Sequence, residues 1–249
     1  MKKNLLFFIV SAIAITNSGC NSGQKISNPV ESSNEKIAAA DTALFRLVQQ
    51  QTFQYFWDGA EPTSGLARER FHADNIYPQN DKSTVTSGGG GFGVMAILVG
   101  IERGFITREQ GVERFEKIIH FLETADRFHG AWPHWWNGET GKVKPFSKND
   151  DGGDLVETSF MIQGLLCVRQ YFQKGNAKEK ALAARVDKLW KEVEFDWYRN
   201  GKNVLFWHWS PKYGWEKNCF LLYCLKRVQY LKCQALSMHL TCLLHNLKL

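Results

Sequence analysis

Three acidic side chains, Asp154, Glu157 and Glu216, stand where the sequence concentrates groups capable of acid–base chemistry. Asp154 and Glu157 fall in Lys148-Asn149-Asp150-Asp151-Gly152-Gly153-Asp154-Leu155-Val156-Glu157-Thr158-Ser159, where a polar loop turns into an apolar helix. An acid at a helix start is stabilised by the unpaired N–H groups there, and a second acid three residues on shares its face. The same spacing is a capping box, with an Asp cap and a Glu at the third helical position, so local sequence leaves both readings open. The surroundings favour chemistry: Trp132-Pro133-His134-Trp135-Trp136 lies upstream and Trp207-His208-Trp209 downstream. A flat indole stacks on the C–H face of a pyranose while its N–H stays free to donate. Trp132, Trp135, Trp136, Trp207 and Trp209 are therefore candidate sugar-stacking walls, with Arg68, His134, His208 and Tyr213 as candidate partners of sugar hydroxyls.

Hydrolysis of a glycosidic bond takes one protonated acid to release the leaving oxygen and one ionised acid to attack or to activate water. Side chains at i and i+3 lie about 5–6 Å apart at Cβ. An inverting mechanism needs carboxyls roughly 6.5–9.5 Å apart. Asp154 and Glu157 thus fit a retaining pair or a shared subsite, and inversion requires a third acid across the site. Glu216, which ends the run Trp209-Ser210-Pro211-Lys212-Tyr213-Gly214-Trp215, is the natural one. Packing against indoles desolvates a carboxyl and raises its pKa, as suits a general acid.

Other chemistries lack their signatures. Gly88 to Gly93 is followed by no Lys-Ser/Thr pair, which points to close packing at a helix start and not to a phosphate loop. Ser210 sits in no Gly-x-Ser-x-Gly elbow. No Cys/His spacing matches a zinc site, and Asn149 to Asp154 lacks the alternate ligands of an EF-hand, so neither metal nor cofactor is expected. Cys167 lies in an apolar helix and no structural disulfide is expected in the domain.

The elements that must position these groups read as helices. One begins near Asp41 as cap and carries Leu44, Leu47, Val48 and Phe53. Phe92 to Arg103 is apolar on most sides, as a buried helix is. Thr107 caps a helix with Glu109 and Gln110 in its first turn and a stripe of Val112, Phe115, Ile118, Ile119 and Leu122. Asp154 to Phe172 and Ala177 to Trp197 follow. Long polar and aromatic loops at 58–84, 129–153 and 199–216 join them, with a hairpin signal at Asn137-Gly138-Glu139-Thr140-Gly141. Repeated helix–loop–helix without alternating strand runs predicts an all-α fold.

Both ends differ from this middle. Lys2 and Lys3 precede an apolar run from Leu5 to Ile15 and then Ser18-Gly19-Cys20, which predicts a signal at 1–20 with Cys20 lipidated, and so export to a bacterial membrane. Residues 21–40 are expected to form a tether and 41–216 a partial catalytic domain. From Lys217 to Leu249 there is no Gly, Asp, Glu or Pro, and four of the six Cys fall here. A basic terminal helix is one account; loss of the original reading frame just after Glu216 is the better one. Lys2 and Lys3 with Lys217, Lys226, Arg227, Lys232 and Lys248 carry seven positive charges, so the formal +6 leaves −1 for residues 4–216. The middle is close to neutral, which removes nucleic acid as a partner.

At these motifs the chain resembles the bacterial glycoamylase-like proteins that include the β-1,2-glucanases. The matching segments are Phe56-Trp57-Asp58-Gly59-Ala60, Gly65 to Arg70, Gly91-Phe92-Gly93, Glu102 to Phe105, Trp132 to Trp136, Gly152 to Phe160, and Trp207 to Pro211 through Trp215-Glu216. The resemblance implies an (α/α)6 toroid, of which about half the helices are present, with long aromatic-rich loops forming a cleft. It implies hydrolysis of β-glucan, most of all β-1,2-linked, with inversion, and functional acids at Asp154, Glu157 and Glu216. A glucan oligo- or polysaccharide is then the partner, and the membrane is met only through the N-terminal lipid. A non-catalytic glucan-binding lipoprotein and a helical interaction protein are the rival readings.

Overall fold

The structure, a computed structural model, describes residues 29–215 and 221–222. Glu216, Cys20 and its signal, the first part of the tether and almost all of the 217–249 segment lie outside the described residues. The chain divides into residues 1–44 and 45–249. Of the first, the described part is helical; the second carries every candidate site residue that is described.

Among the described residues five α-helices dominate: α1 (Pro29–Trp57), α2 (Ser87–Glu102), α3 (Arg108–Thr124), α4 (Leu155–Phe172) and α5 (Ala177–Lys191). None of them is long and apolar enough to cross a membrane. Among the described residues the sheet content is three two-stranded antiparallel pairs: β1 (Thr84–Thr86) with β2 (Trp135–Asn137), β3 (Gly153–Asp154) with β5 (His208–Trp209), and β4 (Leu205–Phe206) with β6 (Leu221–Leu222). The all-α expectation holds at this level.

Helix boundaries follow local chemistry. Thr107 caps α3 with a complete capping box, its side chain accepting from the Gln110 N–H while the Gln110 side chain accepts from the Thr107 N–H. The helix placed near Asp41 begins instead at Pro29, a residue preorganised for a first helical position, and runs on through Ala38, Ala39 and Ala40. α5 ends at Lys191, short of Trp197, because Val193 is drawn into the core and the Glu194 N–H donates to the His129 carbonyl.

α2 and α4 pack with their backbones in contact. A Cβ on Gly91 would lie 2.3 Å from the Phe160 carbonyl oxygen, and one on Gly164 would lie 2.2 Å from the Gly91 oxygen. The glycine run is thus the first turns of a helix that must approach its neighbour closely, as its composition suggested. Around this seam Val94, Ile97, Leu165 and Val168 join Phe115, Ile119 and Val186 in one apolar core.

Candidate functional site

The start of α4 is laced between the two aromatic loops. The Asp154 N–H donates to the Trp132 carbonyl at 2.8 Å and the Leu155 N–H to the Trp207 carbonyl at 2.7 Å. Thr158 Oγ1 accepts from the Trp132 N–H and donates to the Trp132 oxygen. Two glycines let the loop in: a Cβ on Gly152 would sit 2.0 Å from the Trp209 oxygen, and one on Gly153 2.0 Å from the Tyr198 hydroxyl. Close approach is the reason for this Gly pair. Neither residue has a positive φ, so a left-handed turn is not what requires them.

Asp154 is 1% exposed. Its Oδ1 accepts from the Glu157 N–H at 2.9 Å, and both its oxygens lie 2.8 Å from Trp207 Nε1. Burial pushes its carboxyl up to about 7 against these two donors, and the charges of Glu157 and Asp150 push the same way. Glu157, half-buried, does not close the capping box. Its Oε2 instead accepts from the Gly88 N–H of α2 at 3.0 Å, and burial raises its pKa as well. The capping and chemical readings therefore divide between the two acids: Asp154 caps, and Glu157 is turned toward another helix.

Around them stand two imidazoles and a third carboxyl. His134 Nδ1 lies 3.7 Å from Asp154 Oδ2 and 3.9 Å from Asp150 Oδ2. His208, 3% exposed, accepts at Nε2 from the Gly152 N–H at 3.2 Å and faces Asp150 Oδ1 at the same distance. Burial lowers both histidines, His208 to about 4, so both are neutral at pH 7. Burial also raises the Asp150 carboxyl, with the charge of Asp151 pushing the same way and that of His134 opposing it. His134, Asp150 and Asp154 could each turn one atom toward a cation, these atoms lying within 4.8 Å of one another. Both Asp154 oxygens are already engaged by N–H donors and its carboxyl is pushed up to about 7, which disfavours that residue as a cation ligand.

The other candidates separate by burial. Trp132 and Trp136 are 0% exposed; their Nε1 groups donate to the Leu122 and Asp126 carbonyls. They are core residues and not stacking walls, a correction that follows from their inward direction. Arg68 is also structural: Nε donates to the Lys82 carbonyl and one terminal nitrogen to those of Gly59 and Ala60, tying the 58–84 loop together. Trp135, Trp207 and Trp209 are partly exposed, but Trp209 packs edge-on against Trp197 and His129. Tyr213 lies in the Ser210–Gly214 turn with the Lys212 ammonium over its ring.

Comparison with known proteins places this arrangement. No protein-family profile matches the chain. A solved endo-β-1,2-glucanase from Chitinophaga pinensis, in complex with sophorotriose and glucose, is 73% identical over 72% of this chain with a TM-score of 0.71. A solved glucoamylase-named protein from Bacteroides caccae is 65% identical with the same TM-score. A curated relative, the exo-β-1,2-glucooligosaccharide sophorohydrolase of Parabacteroides distasonis, is 55% identical over 181 residues. Over the matched span, the chain belongs to the β-1,2-glucanase family. It covers 43–44% of these two solved chains and 24% of the curated one, so it spans less than half of each.

Within this candidate site, two residues escaped the sequence reading. Phe146, 50% exposed, stacks on His134 with centroids 4.4 Å apart and meets Trp135 edge-on. A lone Phe in the polar loop Lys142 to Lys148 was its signal. Asp150 was seen only as part of an acidic run; of the two histidines that flank it, His134 stands at the far end of the same loop and His208 comes from a loop distant in sequence.

Proposed function

We propose that this chain carries part of the site of a glycoside hydrolase that cleaves β-1,2-linked glucan with inversion, in an aromatic cleft of an (α/α)6 toroid completed in longer relatives. Glu157 is the observation that carries the reading. It is half-buried with a raised pKa, next to a buried Asp154, in a span 73% identical to an endo-β-1,2-glucanase. Glu216 is the proposed general acid, Asp154 a supporting group, and Trp135, Phe146 and Trp207 the aromatic surfaces for sugar rings. Export and anchoring through a lipidated Cys20, and departure from the family's frame after Glu216, belong to the same proposal. The partial coverage of the relatives favours a second reading, a glucan-binding lipoprotein without turnover.

Chromatography of β-1,2-glucan and its oligosaccharides after incubation with a parent protein whose reading frame is restored after Glu216 separates these readings. The first predicts cleavage products that disappear in Glu157→Gln. Binding without cleavage by the parent chain supports the second. Neither binding nor cleavage contradicts both.

A further inference from the structure

Gly88 lies in the first turn of α2, where backbone N–H groups have no acceptor within the helix. Its N–H donates across the helix interface to Glu157 Oε2 at 3.0 Å. A Cβ at this position would stand 2.0 Å from that oxygen and 2.9 Å from Glu157 Cδ. Only glycine leaves the carboxyl room to reach the N–H. The preceding residue ties the same helix end to the aromatic loop: Ser87 Oγ donates to the Pro133 carbonyl at 2.6 Å, and the Ser87 N–H to that of His134 at 3.1 Å. One helix terminus therefore fixes both the backbone of His134 and the carboxyl of Glu157. The backbone contact between Gly91 and Gly164 sets the spacing that makes this possible.

We propose that Gly88 is a positioning residue for Glu157, its N–H and missing side chain holding the carboxyl in the site and away from its own helix cap. The proposal deepens the hydrolase reading and takes its functional meaning from it. The charged groups around Glu157 make the N–H matter. Asp150 from the loop repels it, Asp154 at the α4 cap shares a mutual repulsion with it, and α2 has no acid or base in its first turn. His134, on the same loop as Asp150, places Nδ1 3.9 Å from Asp150 Oδ2 and 3.7 Å from Asp154 Oδ2. Without the Gly88 hydrogen bond Glu157 keeps its burial and its acidic neighbours but loses a stabilising donor.

Carbon-13 titration of the Glu157 carboxyl in the full chain tests this directly, with Glu179 as internal reference. Gly88→Ala is expected to move the Glu157 midpoint upward by about one pH unit, a tenfold change in its acid constant, and to leave Glu179 in place. A merely structural glycine lowers Tm without moving the midpoint, and that result overturns the proposal. If Gly88→Ala does not fold, amide exchange in Glu157→Ala serves instead. The Gly88 N–H should exchange at least about tenfold faster than in the parent, since it loses its acceptor; an unchanged rate overturns the proposal. Both readouts are independent of glucan cleavage, so a failed hydrolase assay and a failed positioning role are told apart.

Discussion

Trp135 and Trp136 are neighbours in sequence and belong to different parts of the molecule. Trp136 points inward from β2, edge-on to Phe121, and is sealed from solvent. Trp135 leaves the other face of the same strand and meets Phe146 near the acids. The strand pleat sends successive side chains to opposite faces, so one aromatic run serves both core and site. The acids divide in the same way. Asp154 is buried and takes hydrogen bonds from the backbone and from Trp207, while Glu157, one helical turn on, is half-exposed.

The largest effect should come from the buried side. Trp136→Ala removes a fully buried indole and its hydrogen bond to Asp126, and is expected to lower unfolding free energy by about 3–5 kcal/mol in a urea titration. A loss below about 1 kcal/mol would break the comparison.

Asp154→Asn comes next, with an effect that depends on pH. The folded state keeps the Asp154 proton that the unfolded chain releases near 3.8, so its stabilising contribution is full below that pH and is lost as pH rises through about 7. The whole shift corresponds to on the order of 4 kcal/mol. Asn retains an acceptor for Trp207 and the Glu157 N–H without the charge. Asp154→Asn should therefore match its parent near pH 4 and exceed it at pH 8 in thermal melts. His208, lowered to about 4, acts in the opposite direction: its contribution is present above 6.5 and lost as pH falls toward 4. The parent's stability should consequently vary less below pH 6.5 than Asp154 alone would dictate.

The smallest stability effects belong to the exposed side. Phe146→Ala and Trp135→Ala should each cost less than about 1 kcal/mol of stability. Each should weaken binding of a β-1,2-glucooligosaccharide several-fold in calorimetry, as loss of a stacking ring predicts. A large stability loss with unchanged affinity would move these residues into the core class.

Much of this was legible in the sequence where the cause is local. The Thr107 cap, the α4 start at Asp154 and the close-packing glycines before Phe92 depend on a few adjacent residues and emerged where expected. The start of α1 was misplaced because a polar, serine-containing stretch hides helix formers behind Pro29. Burial of Trp132 and Trp136 was not legible, since Trp132 is held by Thr158 and Leu122 and the facing of the strand that carries Trp136 is set by its pairing with Thr84 to Thr86. The same applies to Asp150, which acquires meaning only when His134 and His208 arrive on either side.

The division between buried and exposed acids rests most heavily on Asp154. Its carboxyl titration, followed by carbon-13 chemical shift in the intact chain, tests that division directly. A midpoint near 7 is predicted; a midpoint at or below 4 would show a carboxylate stabilised by its hydrogen bonds and contradict the account.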